Sequence, residues 1–450
     1  MENSNVRDKD VLKKNLKTIN YVRHHQDLDI SAIADAFGVS WPTMKTNFTV
    51  LYKNDLLSEG DKPRKHIVNS SYGVMLGLSI GATETKITLI DFSFDAIDWS
   101  LSPYNYLYDK IQKIVSLKPS AQENEKVVCF ETAHDFLSIY STSTNIISTV
   151  FAFCKKYNLN LLSVGIALPG VVDKKSQKMI FCPNIPELVN INVNRIVSDE
   201  ILDLLKQNEI AFHISHDATA VTVFEKEWNY KQYFSKDIDA LSKNMAVIYM
   251  GSGLASGYIF ENRLLLGTTG TGEIGHLDLQ YNDLPFINDD ETCDYVLSKD
   301  KRQEPVDVEE CACMCGKANC LETLIRAKVF NSTNMKDFLK KIDKNSLASF
   351  KEFNPYRYRV LCHFISQLLN ITINMLNVDR IVLTGRVFNG IPQLKNDIKS
   401  LKIQSSLGCF SEDCDVSFGS TRTDAVAIGA AILSYYYLFN DSNNEMRIEW

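Results

Sequence analysis

The residues best suited to chemistry lie between positions 272 and 322. The string Gly-Glu-Ile-Gly-His at 272–276 is followed by a cysteine-rich segment at 311–320. Three thiolates and one imidazole form the tetrahedral Cys₃His set of a closed structural zinc site. We therefore predict structural Zn²⁺ on four ligands: His276, Cys313, Cys315 and Cys320. Cys311 is a surplus thiol that could replace a ligand or stay free, and a run of reduced thiols without metal is the alternative.

Acidic residues accompany these ligands. Glu273 precedes His276 by three residues and Glu322 follows Cys320 by two, so a metal would tie two acidic loops into one pocket wall. Carboxylates accept hydrogen bonds from hydroxyl groups. Converging carboxylates favour a polyol such as a sugar as the ligand.

Two glycine-containing turns lie between predicted strands, at 81–86 and 251–253. Their backbone amides could face a phosphate group. Two such units about 170 residues apart indicate two related lobes that close on a cleft, rather than one Rossmann sheet. Either turn alone could also be an ordinary hairpin connection.

The first 68 residues predict a helix-turn-helix. Apolar residues recur at helical spacing over 11–22 and 30–37. Gly38, Ser40 and Pro42 then supply a turn glycine, an N-cap and a first-turn proline for another helix. The candidate DNA contacts belong to this helix and to a basic wing: Ser40, Trp41, Thr43, Lys45, Thr46, Lys62, Arg64 and Lys65. The alternative is a helical dimerisation module.

The composition of the chain indicates how many domains surround these residues and in which compartment they lie. The 450 residues are 45% hydrophobic and 23% charged, which predicts two or three globular domains. No run of about 18 apolar residues and no secretory signal pattern occurs, so we expect a cytoplasmic protein outside the membrane. Eleven cysteines then face a reducing compartment, which favours free thiols and a metal cluster over disulfides.

The net charge is −7, which argues against a protein that coats nucleic acid with its whole surface. The first 68 residues carry 11 basic and 9 acidic side chains. A slightly basic head on an acidic body is compatible with a small DNA-reading domain.

Several further segments form recognisable sequence motifs: GIALPGVVD at 165–173, CPNIP at 182–186, SHDATA at 215–220, IVLTG at 381–385, and the stretch 424–431. Together with the segments above, they resemble the ROK family of sugar-responsive repressors and sugar kinases over nearly the whole chain. The resemblance implies a two-lobed α/β body, actin-like or ribonuclease-H-like and of the hexokinase type, preceded by an all-α winged helix-turn-helix domain. The implied domains are 1–70, 71–195 plus 420–450, and 196–419.

The resemblance also implies the roles of particular residues. It implies zinc at the four ligands named above. The implied sugar contacts are Asn184, His216, Asp217, Glu273, His276 and Glu322. The implied nucleotide contacts are Gly81, Thr83, Lys86, Gly251 and Gly253. In the kinases of the family, the carboxylate at the place of Asp217 is the general base, and ATP and Mg²⁺ are required.

Departures from the kinase pattern point away from catalysis. Ser79 stands where the kinases have a magnesium-binding aspartate, Ala82 replaces a loop glycine, and Arg386 replaces a glycine on the adenosine side. His216 and Thr219 replace asparagines, which could change the sugar that is accepted. The segment 277–312 is a long acidic insertion between the metal ligands.

The sequence therefore predicts a sugar-responsive transcriptional regulator of the repressor type. We expect it to bind operator DNA as an inverted repeat and a monosaccharide or sugar phosphate as effector, and to form a homodimer or homotetramer. An ATP-dependent sugar kinase is the alternative, and a zinc-dependent scaffold for protein partners is a third reading.

Overall fold

The structure is a computed structural model, and it describes most of the chain. The described residues are 4–25, 28–60, 64–115, 125–173, 175–233, 243–267, 270, 272–278, 313–317, 320–332, 335–342, 347–398 and 414–439.

The N-terminal head is a winged helix-turn-helix. Its elements are helices α1 (Ser4–His24), α2 (Ile30–Ala36) and α3 (Trp41–Lys53) and strands β1 (Leu57–Glu59) and β2 (His66–Val68). The two strands pair antiparallel as the wing. Ile19, Ile33 and Phe48 are buried between the helices, as their helical spacing predicts. The predicted helix-turn-helix and wing are confirmed.

The first sheet has the strand order β5-β4-β3-β6-β9. Its strands are β3 (Val74–Ile80), β4 (Glu84–Asp91), β5 (Val128–Glu131), β6 (Leu161–Leu168) and β9 (Ala211–His216), and β7 (Val171–Asp173) pairs with β8 (Lys178–Phe181) in a separate hairpin. β3, β6 and β9 run parallel, while β4 and β5 are antiparallel additions. The helices with this sheet are α4 (Tyr104–Val115), α5 (Phe136–Lys156), α6 (Asp199–Gln207), α7 (Asp217–Tyr233) and a late helix, Ala425–Tyr437.

The late helix packs directly on this sheet because two strand glycines leave room for its backbone. A Cβ atom at Gly77 would lie 2.0 Å from the carbonyl oxygen of Ala427, and one at Gly165 would lie 1.9 Å from that of Ala430. All seven residues of β3 are buried, since the strand has helices on both faces. The predicted return of the last helix to the first lobe is thus observed.

The second sheet has the order β12-β11-β10-β13-β14. Its strands are β10 (Met245–Met250), β11 (Leu254–Phe260), β12 (Arg263–Leu265), β13 (Arg380–Thr384) and β14 (Asp415–Phe418). The following helices complete this part of the described chain: α8 (Leu321–Leu324), α9 (Met335–Lys341), α10 (Phe350–Phe353), α11 (Pro355–Leu376) and α12 (Arg386–Gly390), after which the late helix is α13. Short 3₁₀ turns cover Ser70–Tyr72, Pro186–Leu188, Val193–Ile196 and Ile274–His276, and a π-helical turn covers Ile325–Val329.

The chain divides into two compact units. The first comprises 1–241, 261–264 and 422–450, and the second comprises 242–260 and 265–421. We expected the second lobe to begin at residue 196, but 196–241 belongs to the first unit. The reason is that β9 pairs with β6 and α7 packs against α13.

Helix α5 is, within the described part of the chain, long and apolar enough to cross a membrane by length and composition. Its Ile139, Ile146, Val150 and Phe153 lie in the core of the first unit. These residues form the buried face of the helix.

Candidate functional site

The four predicted metal ligands come together in the second unit. The ligand atoms of His276, Cys313, Cys315 and Cys320 all lie within 4.8 Å of one another. A tetrahedral zinc ion with Zn–S bonds of about 2.3 Å needs sulfur atoms about 3.8 Å apart. The donor set and its spacing therefore fit a bound metal ion.

A tight turn presents the first two thiols. The Cys313 N–H donates to the Lys317 carbonyl at 2.8 Å, and the Gly316 N–H donates to the Cys313 carbonyl at 2.9 Å. Gly316 has φ of +88°, a conformation that glycine adopts without strain. The third thiol belongs to Cys320. The next residue, Leu321, donates its N–H to the Leu277 carbonyl at 2.9 Å. The cysteine segment and the GEIGH segment are thus held together by backbone hydrogen bonds.

The two ring nitrogens of His276 face different partners. Nδ1 lies 3.3 Å from Cys313 Sγ, whereas Nε2 lies 3.9 Å from Glu273 Oε2. Nδ1 is therefore the nitrogen that would face a metal ion bound by this cluster. A carboxylate beside the other nitrogen is the usual arrangement that orients a metal-bound histidine.

Glu322 links the metal segment to the glycine turn of the second unit. Its Oε2 accepts a hydrogen bond from the Leu254 N–H at 3.0 Å, and a Cβ atom at Gly253 would lie 3.0 Å from the same oxygen. Burial raises the pKa of Glu322 above its ordinary value, although the Leu254 hydrogen bond and His276 oppose that shift. The turn predicted to face a phosphate is therefore occupied on this side by a carboxylate.

Asp217 lies in the first unit, at the point where β9 ends and α7 begins. Its Oδ1 accepts from the Ala218 N–H at 2.7 Å and lies 3.1 Å from His216 Nε2. Ligands of parallel α/β sheets bind outside the carboxyl ends of the strands, which is where this carboxylate is placed. His216, expected as a sugar contact, is thus also a direct partner of Asp217.

Asn184 lies in the loop after β8, half-buried. In the same loop, the Cys182 thiol donates to the Pro169 carbonyl at 2.9 Å. Burial raises the pKa of Cys182 to about 11, with a further contribution from the Asp217 carboxylate.

Lys86, the basic residue of the first glycine turn, contacts two residues of the first unit. Lys86 Nζ donates to the Thr423 carbonyl at 3.0 Å and lies 3.6 Å from Glu84 Oε2. The Gly81 N–H donates to the Glu84 carbonyl at 3.0 Å, and Thr83 is half-buried. Ser79 is buried opposite Lys86 in the β3–β4 ladder. Sequence reasoning missed Thr423, because a contact across 337 positions leaves no local signal.

The glycine turns of the second unit are also held by close backbone contacts. The Gly251 N–H donates to the Gly253 carbonyl at 3.0 Å. After β13, Gly385 has φ of +102°, and a Cβ atom there would lie 2.5 Å from the Met250 carbonyl oxygen. Arg386 follows immediately as the first residue of α12 and is half-buried.

The recognition helix of the head exposes the predicted DNA contacts. Ser40 Oγ caps α3 by accepting from the Thr43 N–H, and Met44 faces inward. Lys45 Nζ lies 4.7 Å from the centre of the Trp41 ring, whose side chain is 47% exposed. The outward-facing side chains are Ser40, Trp41, Thr43, Lys45 and Thr46.

The wing carries Arg64 at its tip. Arg64 is exposed and has φ of +64°, and Lys65 beside it closes the turn through its carbonyl, which accepts from the Gly60 N–H at 2.9 Å. Lys62 lies outside the described residues, and so do Cys311 and the insertion from 279 to 312.

A buried polar cluster between the head and the α/β part of the first unit was also missed from the sequence. His24 Nε2 lies 2.6 Å from Glu227 Oε2, and the Tyr436 hydroxyl donates to Glu227 Oε1 at 2.7 Å. The sequence signal is the charged Glu-Lys-Glu run at 225–227, which directly follows the largely apolar stretch 218–224. Nothing local identifies its partners.

The described residues form a winged helix-turn-helix head, an α/β body with two five-stranded sheets and a Cys₃His cluster. The ROK family model matches residues 134–435, and the chain belongs to the ROK family.

Individual relatives are distant. The chain is 24% identical over 294 residues to the DNA-binding transcriptional dual regulator NagC of Escherichia coli K12, which is 61% of this chain and 60% of that protein. It is 28% identical over 129 residues to a xylose repressor of Caldicellulosiruptor bescii, 27% of each protein. The chain thus matches less than two thirds of the length of these curated relatives.

The fold has a counterpart among solved structures. A ROK family transcriptional regulator described as a homolog of the E. coli MLC protein matches with a TM-score of 0.59 and 16% identity. The match covers 94% of this chain and 97% of that one, so it includes the head as well as the body.

Proposed function

We propose that the chain is a sugar-responsive transcriptional regulator that acts as a repressor. The observation that carries the proposal is the winged helix-turn-helix head, whose α3 turns Trp41, Thr43 and Lys45 to solvent. A capped helix with an exposed polar face is the element that enters a major groove. A relative named as a xylose repressor and another named as a DNA-binding transcriptional dual regulator support a regulatory function.

The proposed effector is a monosaccharide or a sugar phosphate. The side chains proposed to bind its hydroxyl groups are Asn184, His216, Asp217, Glu273, His276 and Glu322. Carboxylate oxygens accept hydrogen bonds from vicinal hydroxyls. N-acetylglucosamine and xylose are the first sugars to test, because relatives are named for them.

The proposed metal is Zn²⁺, held by the Cys₃His cluster in a structural role. Thiolate and imidazole donors in a closed four-ligand set suit zinc better than magnesium or calcium. The bound ion fixes the Glu273 and Glu322 segments relative to each other, since each adjoins a ligand in sequence.

Catalysis is not part of the proposal. A sugar kinase needs magnesium and free phosphate-binding groups, but Ser79 offers no carboxylate and Lys86 is bound to the Thr423 carbonyl. Arg386 follows Gly385 where the kinase pattern has a glycine. We therefore propose sugar binding without phosphoryl transfer.

The regulator acts in the cytoplasm, where it meets DNA, and binds as a homodimer or homotetramer. A twofold axis relates two α3 helices and makes the operator an inverted repeat with half-sites about one helical turn, roughly 34 Å, or a multiple of it apart.

Selection from a random duplex pool followed by gel shift tests the proposal. We expect a palindromic sequence, and an affinity that changes when N-acetylglucosamine, N-acetylglucosamine 6-phosphate, glucose or xylose is added. Lys45→Ala should abolish site preference, while Lys351→Ala, in the second unit, should not. Recovery of no palindrome, or equal binding by Lys45→Ala, rejects the regulator.

A point variant serves better than removal of the head. Arg23 of α1 lies over the rings of Phe94 and Tyr435, at 3.8 and 5.6 Å from their centres. Deletion of residues 1–68 would expose these rings and confuse loss of DNA contacts with loss of folding.

A further inference from the structure

Four side chains form a buried polar cluster that we name the clasp: Arg23, His24, Glu227 and Tyr436. Their exposed fractions are 1%, 7%, 3% and 1%. Both carboxylate oxygens of Glu227 are engaged, one by His24 at 2.6 Å and the other by the Tyr436 hydroxyl at 2.7 Å. None of these residues belongs to the proposed sugar, metal or DNA contacts.

The clasp joins three helices of different origin. Arg23 and His24 form the last turn of α1 in the head, Glu227 lies in α7, and Tyr436 lies near the end of α13. Arg23 adds a hydrogen bond from Nε to the Phe92 carbonyl at 3.1 Å. The end of the DNA-binding domain's first helix is therefore anchored inside the first unit.

A polar anchor at this place is costly compared with an apolar one. Replacing a buried ion pair by well-packed apolar residues is often neutral or stabilising, because desolvation opposes the charge attraction. What a hydrogen-bonded pair adds is direction, since each bond fixes the distance and angle between its two helices. The clasp is thus suited to hold α1 at one defined position on α7, which non-directional apolar packing alone would specify less well.

Helix α7 connects this anchor to the proposed sugar contact. It begins at Asp217, and Glu227 follows ten residues later, about 15 Å along the axis at 1.5 Å per residue. The helix is backed by α13, where a Cβ atom at Gly429 would lie 1.9 Å from the Ala220 carbonyl oxygen. Packing this close favours movement of α7 as a rigid element.

We propose that the clasp is the link through which sugar at Asp217 changes DNA affinity, by a shift of α7 that moves α1 and with it α3. This inference rests on the proposed function and deepens it, because it assigns the coupling to named side chains. The clasp contacts neither sugar nor DNA. Its residues set the free energy that couples the two sites, not the affinity at either one.

The first experiment needs no ligand. Amide hydrogen exchange is measured on the full-length wild type and on Glu227→Gln, which removes the charge and keeps the shape. We expect at least tenfold faster exchange in α1 and in the middle of α7. The control is Asp397→Asn, which breaks a Lys351–Asp397 ion pair of 3.0 Å in the second unit and should leave α1 unchanged. Unchanged α1 exchange in Glu227→Gln overturns the anchor.

The second experiment measures coupling. The probe is a fluorescein-labelled duplex selected by the wild type, titrated with and without whichever of the four named sugars shifts its binding. In Glu227→Gln we expect the ratio of the two duplex Kd values to come within twofold of one, while the sugar Kd measured by calorimetry changes less than threefold. A ratio equal to that of the wild type overturns the coupling role.

Two further variants protect the test against misfolding. Tyr436→Phe removes one hydroxyl and should reduce the ratio by a smaller factor. His24→Gln combined with Glu227→Gln should reduce it no more than Glu227→Gln alone, whereas independent, multiplying effects contradict a shared link. A wild type in which no sugar shifts duplex binding overturns the proposed function and the coupling role together, and the exchange measurement then still decides whether the clasp anchors α1.

Discussion

At the scale of single residues, the metal cluster gives the sharpest expectation. Cys315→Ser removes one thiolate from a four-ligand set, so zinc should fall from about one ion per chain to below ~0.3, and sugar binding should weaken at least tenfold as the Glu273 and Glu322 segments loosen. Elemental analysis by mass spectrometry and calorimetry measure the two effects. Cys362→Ser, a half-buried cysteine of the same unit, is the matched control. Full zinc content in Cys315→Ser contradicts the ligand assignment.

Glu227 gives a pH dependence of stability. Burial acts to raise its pKa, but the charge and hydrogen bond of His24, Arg23 and Tyr436 overcome burial and hold it below the ordinary 4.5. A depressed carboxylate pKa contributes stability above the unfolded-state value, and that contribution is lost as pH falls through the folded-state pKa. Calorimetric unfolding should therefore show wild type and Glu227→Gln converging in stability below about pH 4.5.

Near pH 7 the same two proteins should differ, because breaking a buried ion pair costs about 3–5 kcal/mol. The groups that face Glu227 across the clasp are Arg23, His24 and Tyr436. A stability difference that stays constant from pH 7 to pH 3 contradicts the assignment of the acid sensitivity to Glu227.

At the scale of elements, the crossing of α7 and α13 depends on a missing side chain. Gly429→Ala would place a Cβ atom 1.9 Å from the backbone oxygen of Ala220. Backbone cannot give way as a flexible side chain can, so we expect a loss of about 3 kcal/mol in the stability of the first unit. Calorimetry measures it, and an unchanged transition shows that the helices separate at little cost.

The wing should contribute to DNA affinity through charge alone. Arg64 is exposed on a hairpin turn, so its loss should lower the slope of log affinity against log salt by about one and leave site preference intact. Arg64→Asn is the better variant than alanine, because asparagine tolerates the positive φ of 64°. Gel shifts at several salt concentrations measure the slope, with Lys340→Asn of the second unit as control. A change of preferred sequence contradicts a phosphate-only role.

Local patterns in the sequence predicted most of these elements. Helical spacing, a cap serine and a turn glycine identified α1 to α3, and residue type alone identified the four side chains that converge in the Cys₃His cluster. Contacts between distant segments were out of reach: His24 and Glu227 are 203 positions apart, and Lys86 and Thr423 are 337 apart. The start of the second unit was misplaced for the same reason, since only the pairing of β9 with β6 assigns 196–241 to the first.

At the scale of the whole molecule, we expect sugar binding without turnover. Phosphoryl transfer depends on positioning and on magnesium-assisted charge stabilisation. Ser79, Ala82 and the engaged Lys86 remove these supports, although Asp217 is retained. Coupled ADP-release assays with hexoses, N-acetylhexosamines and pentoses should show no turnover above background. Turnover that disappears in Asp217→Asn would identify the protein as a kinase.

The position of α13 has a consequence for the order of events on the ribosome. Residues 1–68 are synthesised before Tyr435 and Tyr436, which cover Arg23 and hold Glu227. Domains fold as the chain emerges from the ribosome. Translation adds about 5–20 residues per second. For tens of seconds, a nascent chain therefore has a complete helix-turn-helix that no late helix has yet fixed. Translation that stops before residue 425 leaves the head in that state permanently, so truncated products should hold DNA-reading helices that no sugar controls.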